Sequence, residues 1–192
     1  MLKNKRNMGG LSEICERMKQ RPCAVARIAG SCEYPEIRGC VWFYTTEMGV
    51  LVSAEIYGLP EACGKCNTPF FGFHIHEGHC CTGTKDKPFA DAGGHFNPDC
   101  CPHPEHAGDM PPLLADCGYA LQAFLTDKYC IDDIIGRTVI IHAKPDDFTS
   151  QPSGNSGERI ACGEIWRFLC CRVQFKKTSK KLGNLKKHLE KI

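Results

Sequence analysis

The chain has 192 residues, of which 42% are apolar and 24% charged, and a formal net charge of +2. That describes about one globular domain with enough apolar side chains to build a core unaided, and it excludes a disordered or fibrous chain. No apolar run approaches the roughly 20 residues of a membrane span, and no apolar segment follows the basic start Met1–Gly10, so a cytoplasmic location is expected.

Residues 1–20 read as an N-terminal extension. Within it Leu11, Ile14, Cys15 and Met18 form one stripe of a short helix capped by Ser12. From about Pro22 the pattern changes to strands. Cys40–Thr46 is rich in β-formers, Glu47-Met48-Gly49 makes a compact hairpin link, and Val50, Val52, Ala54 and Ile56 alternate with their neighbours at period two. The segments 70–75, 119–125, 137–142 and 160–168 read likewise. Short strands with Gly- and Pro-containing links indicate an all-β sandwich or barrel over residues 21–171. Two long segments, 77–114 and 143–158, interrupt the rhythm; loops of that length inside one domain are usually functional. Residues 172–192 form a basic tail of net +7 on a body of net −5. Its Leu182, Leu185 and Leu189 allow a short amphipathic helix, interrupted near Gly183, but no nucleic-acid or membrane partner is established by charge alone.

The cysteine count of 15 is high and odd, which argues against a complete disulfide framework. Three vicinal pairs occur, Cys80-Cys81, Cys100-Cys101 and Cys170-Cys171, beside Cys63-Gly-Lys-Cys66. Most are expected to be reduced thiols, acting as small apolar residues or lying on loops, with metal buffering by soft thiolates as the alternative.

The histidines carry the chemistry. His74 and His76 form His-x-His on a predicted strand, where residues i and i+2 share a face and reach one ion. His142 ends another strand, and His95 lies in the first long segment. Four imidazoles without a thiolate favour a copper site able to hold both oxidation states. His95, His103, His106 and Asp109 offer three nitrogens and a carboxylate, a set that suits closed, tetrahedral structural zinc. His95 belongs to both sets because an imidazolate has two nitrogens.

These motifs, Gly72-Phe-His-Ile-His-Glu77, Gly93-Gly-His-Phe-Asn-Pro98, the His103 to Asp109 run, Gly136-Arg-Thr-Val-Ile-Ile-His142 and Gly154 to Gly163, occur in the order found in copper/zinc superoxide dismutases. Over roughly residues 22–168 the chain resembles that family, in its bacterial-type branch. The resemblance implies a Greek-key β-sandwich or flattened barrel of about eight antiparallel strands with two long functional loops. It implies copper on His74, His76, His95 and His142, zinc on His95, His103, His106 and Asp109, and Asp146 accepting hydrogen bonds from His74 and His103. The implied activity converts two superoxide anions to dioxygen and hydrogen peroxide by cycling copper between Cu(II) and Cu(I). Arg159 would dock the anion, His95 would carry a proton, and Lys144 would guide substrate at the channel rim. Cys162 matches half of the family's disulfide, for which the loop after His76 offers Cys80 and Cys81; Cys81, in Cys-Thr-Gly, is the closer match. In a cytoplasmic protein such a bond would have to be shielded. A copper donor protein and a homodimer are further implied partners. The segment 142–159 is shorter, and 76–95 longer, than in the familiar eukaryotic enzymes. The alternative function is a non-catalytic domain that buffers or delivers copper and zinc.

Overall fold

A computed structural model of the chain describes residues 11–61 and 69–168. Cys63, Cys66, Cys170, Cys171, His188 and the leucines of the basic tail lie outside these residues. The helix α1 spans Leu11–Met18. Ser12 is therefore its second residue and does not cap it. None of its side chains is buried, and Leu11 is 76% exposed. Only Ile14 and Met18 of the expected stripe are partly covered, while Cys15 is exposed.

Among the described residues the strands are β1 Ala24–Gly30, β2 Arg38–Thr46, β3 Gly49–Tyr57, β4 Phe70–Phe71, β5 Phe73–His76, β6 Leu113–Leu114, β7 Ala120–Thr126, β8 Thr138–His142 and β9 Arg159–Arg167. Seven of them make one antiparallel sheet in the order β5-β8-β9-β1-β2-β3-β7, and β4 pairs with β6 in a second, small sheet. The chain leaves β3, crosses to β5 at the far edge, and returns to place β7 beside β3, so neighbours in space are distant in sequence. The long sheet curls with the usual strand twist, and one core unites side chains from its opposite ends, including Val52 and Ile56 of β3 with Phe73 and Ile75 of β5. This is the all-β architecture expected from the sequence.

Two local features differ from the sequence reading. The predicted strand 70–75 is split at Gly72, and its halves join different sheets. The Gly72 N–H donates to the Lys144 carbonyl at 2.8 Å, and its own carbonyl accepts from the His142 N–H at 2.8 Å. A Cβ at Gly72 would fall 2.8 Å from the Ser156 side chain, so the backbone there is given over to the second long loop. The other difference is a one-turn helix, α2 (Ile131–Ile134), whose buried Ile131 and Ile134 plug the core between β7 and β8.

The position of the site follows from burial. Every residue of β5 and of β8 is buried, which means that both faces of this end of the sheet are covered. Phe73, Ile75, Val139 and Ile141 point into the main core. On the opposite face Ile140 packs with Ala92, Cys162, Cys81 and Phe89, so the first long loop lies over the sheet. A disulfide joins Cys81 to Cys162 across 81 positions and pins that loop to β9. Cys162 is 2% exposed, whereas Cys81 is only partly buried, so the expected shielding holds for one sulfur and in part for the other.

Candidate metal centre

β5 is an edge strand, and its open edge is closed by loop backbone rather than by another strand. The Ile75 N–H donates to the Gly108 carbonyl, the Phe96 N–H to the Ile75 carbonyl, and the Glu77 N–H to the Gly94 carbonyl. This pairing sets His95 opposite His76 and Asp109 opposite His74. On the other side, a bulge between Ile141 and His142 shifts the register of β8 against β9 and brings Arg159 opposite His142. Six imidazoles and a carboxylate thus meet on the outer face of β5 and β8, beneath two loops.

The side chains form two groups, His74, His76, His95 and His142, and His95, His103, His106 and Asp109, each with its ligand atoms within 4.8 Å of one another. Their hydrogen bonds identify which nitrogen of each ring is left free. Asp146 receives His74 Nε2–H at 2.7 Å on one oxygen and His103 Nε2–H at 2.8 Å on the other. His76 Nδ1–H donates to the Gly93 carbonyl at 3.0 Å, and His142 Nδ1–H to the Gly157 carbonyl at 3.2 Å. In the neutral tautomers so assigned, His76 Nε2 and His142 Nε2 face each other at 3.3 Å with a lone pair on each and no proton between them. His74 Nδ1, His95 Nε2 and His103 Nδ1 are buried with no hydrogen-bond partner at all. Burial lowers the pKa of His74, takes that of His76 well below the usual imidazole value, and pushes that of His142 down to about 3, so these rings stay neutral.

Converging lone pairs of neutral imidazoles, buried and unpartnered, are costly unless a cation lies among them. The donor chemistry fits the expected ions. The first group is all nitrogen, as suits copper, and the second is three nitrogens and a carboxylate, as suits structural zinc. In the second group Asp109 lies 2.7 Å from His95 Nδ1, 3.1 Å from His103 Nδ1 and 3.2 Å from His106 Nδ1. Burial pushes the Asp109 carboxyl up, but the hydrogen bond from His95 and the nearby imidazoles hold it below its ordinary value. His95 faces both groups, Nδ1 toward Asp109 and Nε2 toward the other set.

Access differs between the groups. A depression of about 400 Å³ is lined by His76, His95, His142, Gly93, Gly157 and Arg159, among others, and by none of His103, His106 or Asp109. The mouth beside Arg159 therefore opens on the all-nitrogen group, whereas Asp109 of the carboxylate group lines a separate depression with Pro104, Lys128 and Phe148. The Arg159 guanidinium stands in that mouth, held by the carbonyls of Phe89 (2.6 Å), Ala90 (3.4 Å) and Gly93 (2.5 Å). Gly93 thus accepts from both Arg159 and His76. Lys144 does not line the depression; its aliphatic stem lies along Gly157, which does. His79 is exposed and donates to the Gly136 carbonyl, and neither Cys100 nor Cys101 joins either donor group.

Several residues support the site in roles that the sequence motifs do not reveal. Gly154 has φ +67°, and a Cβ there would lie 2.0 Å from Asp146 Oδ1 and 2.6 Å from His103 Nε2. Only glycine lets the backbone close on the Asp146–His103 pair. Lys128 reaches the His106 carbonyl at 3.0 Å, and Gln151 grips the backbone of His103. Each depends on a contact across loops, which spacing along the chain does not reveal. Asp147 caps its own loop through Thr149 and Ser150, as a solvated loop residue would.

Asp146 is the joint between the two groups. Burial pushes its carboxyl up, yet hydrogen bonds from His74, the Phe148 N–H and His103 together hold it well below the usual carboxylate range. Asp146→Asn keeps the shape but offers an acceptor on one side only. Its amide NH₂ must face one of two imidazole N–H groups. The expected result is weaker binding of copper and zinc alike, by about 10–100-fold each, measured by competition with chelators of known affinity. Loss of one metal with the other untouched would show that Asp146 does not couple the sites.

A curled antiparallel sheet carrying two imidazole-rich donor groups that share His95, one of them beside an arginine-lined mouth, defines a class of two-metal redox proteins. The comparisons agree on which. The model of the family described as copper/zinc superoxide dismutase matches residues 37–165, and the chain belongs to that family. It is 38% identical over 146 residues to Superoxide dismutase [Cu-Zn] 2 of Aquifex aeolicus, covering 68% of this chain and 80% of that one. It is 32% identical to Superoxide dismutase [Cu-Zn] of Deinococcus radiodurans, covering 67% and 76%. Among solved structures, a Cu/Zn superoxide dismutase from Brucella abortus superposes with a TM-score of 0.61 at 26% identity, covering 73% of this chain and 98% of that one.

Proposed function

We propose that this protein is a superoxide dismutase, with copper held by His74, His76, His95 and His142, and zinc by His95, His103, His106 and Asp109. The observation that carries the reading is the arginine-bearing mouth, which is lined by His76, His95 and His142 of the all-nitrogen group and by none of His103, His106 or Asp109. Copper there supplies one-electron exchange, so that one superoxide is oxidised to dioxygen and another is reduced, with two protons, to hydrogen peroxide.

The chain's own residues do the rest. Arg159 keeps a permanent positive charge at the mouth, pre-positioned by three carbonyls, and draws in and orients a small anion. His95 presents an unpartnered Nε2 toward the all-nitrogen group, where it would take up a proton and pass it to the reduced product, while Nδ1 stays directed at Asp109. Asp146 keeps His74 and His103 in the tautomers that direct Nδ1 of each inward. Zinc held by His95, His103, His106 and Asp109 would fix His95 and tune its basicity. The reading extends to a copper donor protein and a second copy of the chain as partners.

The test is metal content and activity of the full chain after reconstitution. About one copper and one zinc per chain, with rapid superoxide consumption, is the expected result. Full zinc with no activity after copper loading would instead favour a metal-buffering role.

A further inference from the structure

The second long loop holds the zinc-side ligand His103 at two places, and only one of them is its ring. The ring is bound by Asp146. The backbone is bound five residues further along the same loop. The His103 N–H donates to Gln151 Oε1 at 3.0 Å, and Gln151 Nε2–H donates to the His103 carbonyl at 2.7 Å. A primary amide matched to both groups of a peptide unit reproduces the pairing of two backbone strands, here between loops 48 positions apart. Gly154 completes the closure, its Cα packed against Asp146 and His103 where a side chain has no room.

We propose that Gln151 is a positioning residue that latches the second loop over the zinc group and controls how fast zinc leaves. For His103 Nδ1 to swing away from the His95, His106 and Asp109 donors, the backbone of residue 103 has to move, and the two-point amide pair opposes that movement. None of the all-nitrogen ligands other than His95 belongs to the clamped segment, so the effect falls on zinc and spares copper. Gln151 is itself exposed, so removing its side chain opens no cavity in the core. The inference rests on the zinc assignment made above.

The experiment follows zinc transfer from the full-length, disulfide-intact protein to an excess of a chromophoric chelator, for wild type, Gln151→Ala and Gln151→Glu. Two modest hydrogen bonds, partly open to water, correspond to zinc release about 5- to 30-fold faster in Gln151→Ala. Gln151→Glu keeps the acceptor for the His103 N–H but has no donor for its carbonyl, and an intermediate rate is expected. Amide hydrogen exchange at residue 103 should quicken in the same order, and Cu(II) affinity of the zinc-loaded variants should stay within about twofold of wild type. Wild-type zinc release from Gln151→Ala would overturn the inference, as would equal loosening of both metals. Wild-type protein that takes up no zinc would overturn the zinc assignment itself, a distinguishable outcome.

Discussion

His142→Ala is expected to reduce superoxide consumption by at least about a hundredfold while leaving one zinc per chain. Loss of a partner that merely orients a ligand costs about 10–100-fold in metal affinity or activity, and here a ligand itself is removed. His142 ends β8 with its Nε2 lone pair aimed at that of His76, so alanine takes away one of four nitrogens and half of that facing pair. The zinc group contains no atom of His142. The His142 backbone N–H continues to bond Gly72, so the junction of β5 with the second loop survives. Metal analysis and a superoxide assay on the same sample read both halves of the result. Activity indifferent to the change would sink the copper assignment; zinc lost in parallel would mean that the substitution had disordered the sheet edge.

Loss of the Cys81–Cys162 disulfide is expected to produce the largest change in stability. The bond closes 81 positions, and loop-closure entropy for a ring of that size corresponds to roughly 4 kcal/mol. For a domain of this length the melting temperature should fall by about 8–16 °C, as read by calorimetry on metal-free protein. The effect reaches the site as well. The tethered loop carries His95 and supplies all three carbonyls that hold Arg159. Cys80 provides an internal control, because its free thiol stands beside Cys81. If Cys81→Ser costs little and the double change of Cys80 and Cys81 costs the full amount, Cys80 substitutes as the partner of Cys162. Equal and full losses in Cys81→Ser and Cys162→Ser assign the bond as the structure has it.

Much of this protein was legible in the chain. Period-two alternation placed β3, and β-former runs placed β2, β7, β8 and β9 within one or two residues, because β-branched and aromatic side chains mark a strand whether one face or both are covered. His-x-His on a strand revealed a shared face by the same rule, and that face is where His74 and His76 lie. The short helix was legible as a helix but not in its packing, which covers Ile14 and Met18 only in part and leaves Leu11 and Cys15 exposed.

Tertiary structure alone decided the rest. Gly72 breaks a predicted strand because the backbone of residues 142 and 144 claims its hydrogen bonds. Arg159 meets His142 through a bulge. Which nitrogen of each imidazole is free depends on carbonyls at Gly93 and Gly157 and on the two oxygens of Asp146. Gln151 and Gly154 act across loops. The order of residues along the chain is enough to supply the metal-binding side chains and to put His74 and His76 on one strand face, because facing along a strand follows the local backbone period. Only the folded structure decided how the two long loops close over them, because loop-to-loop hydrogen bonds join positions that no period relates.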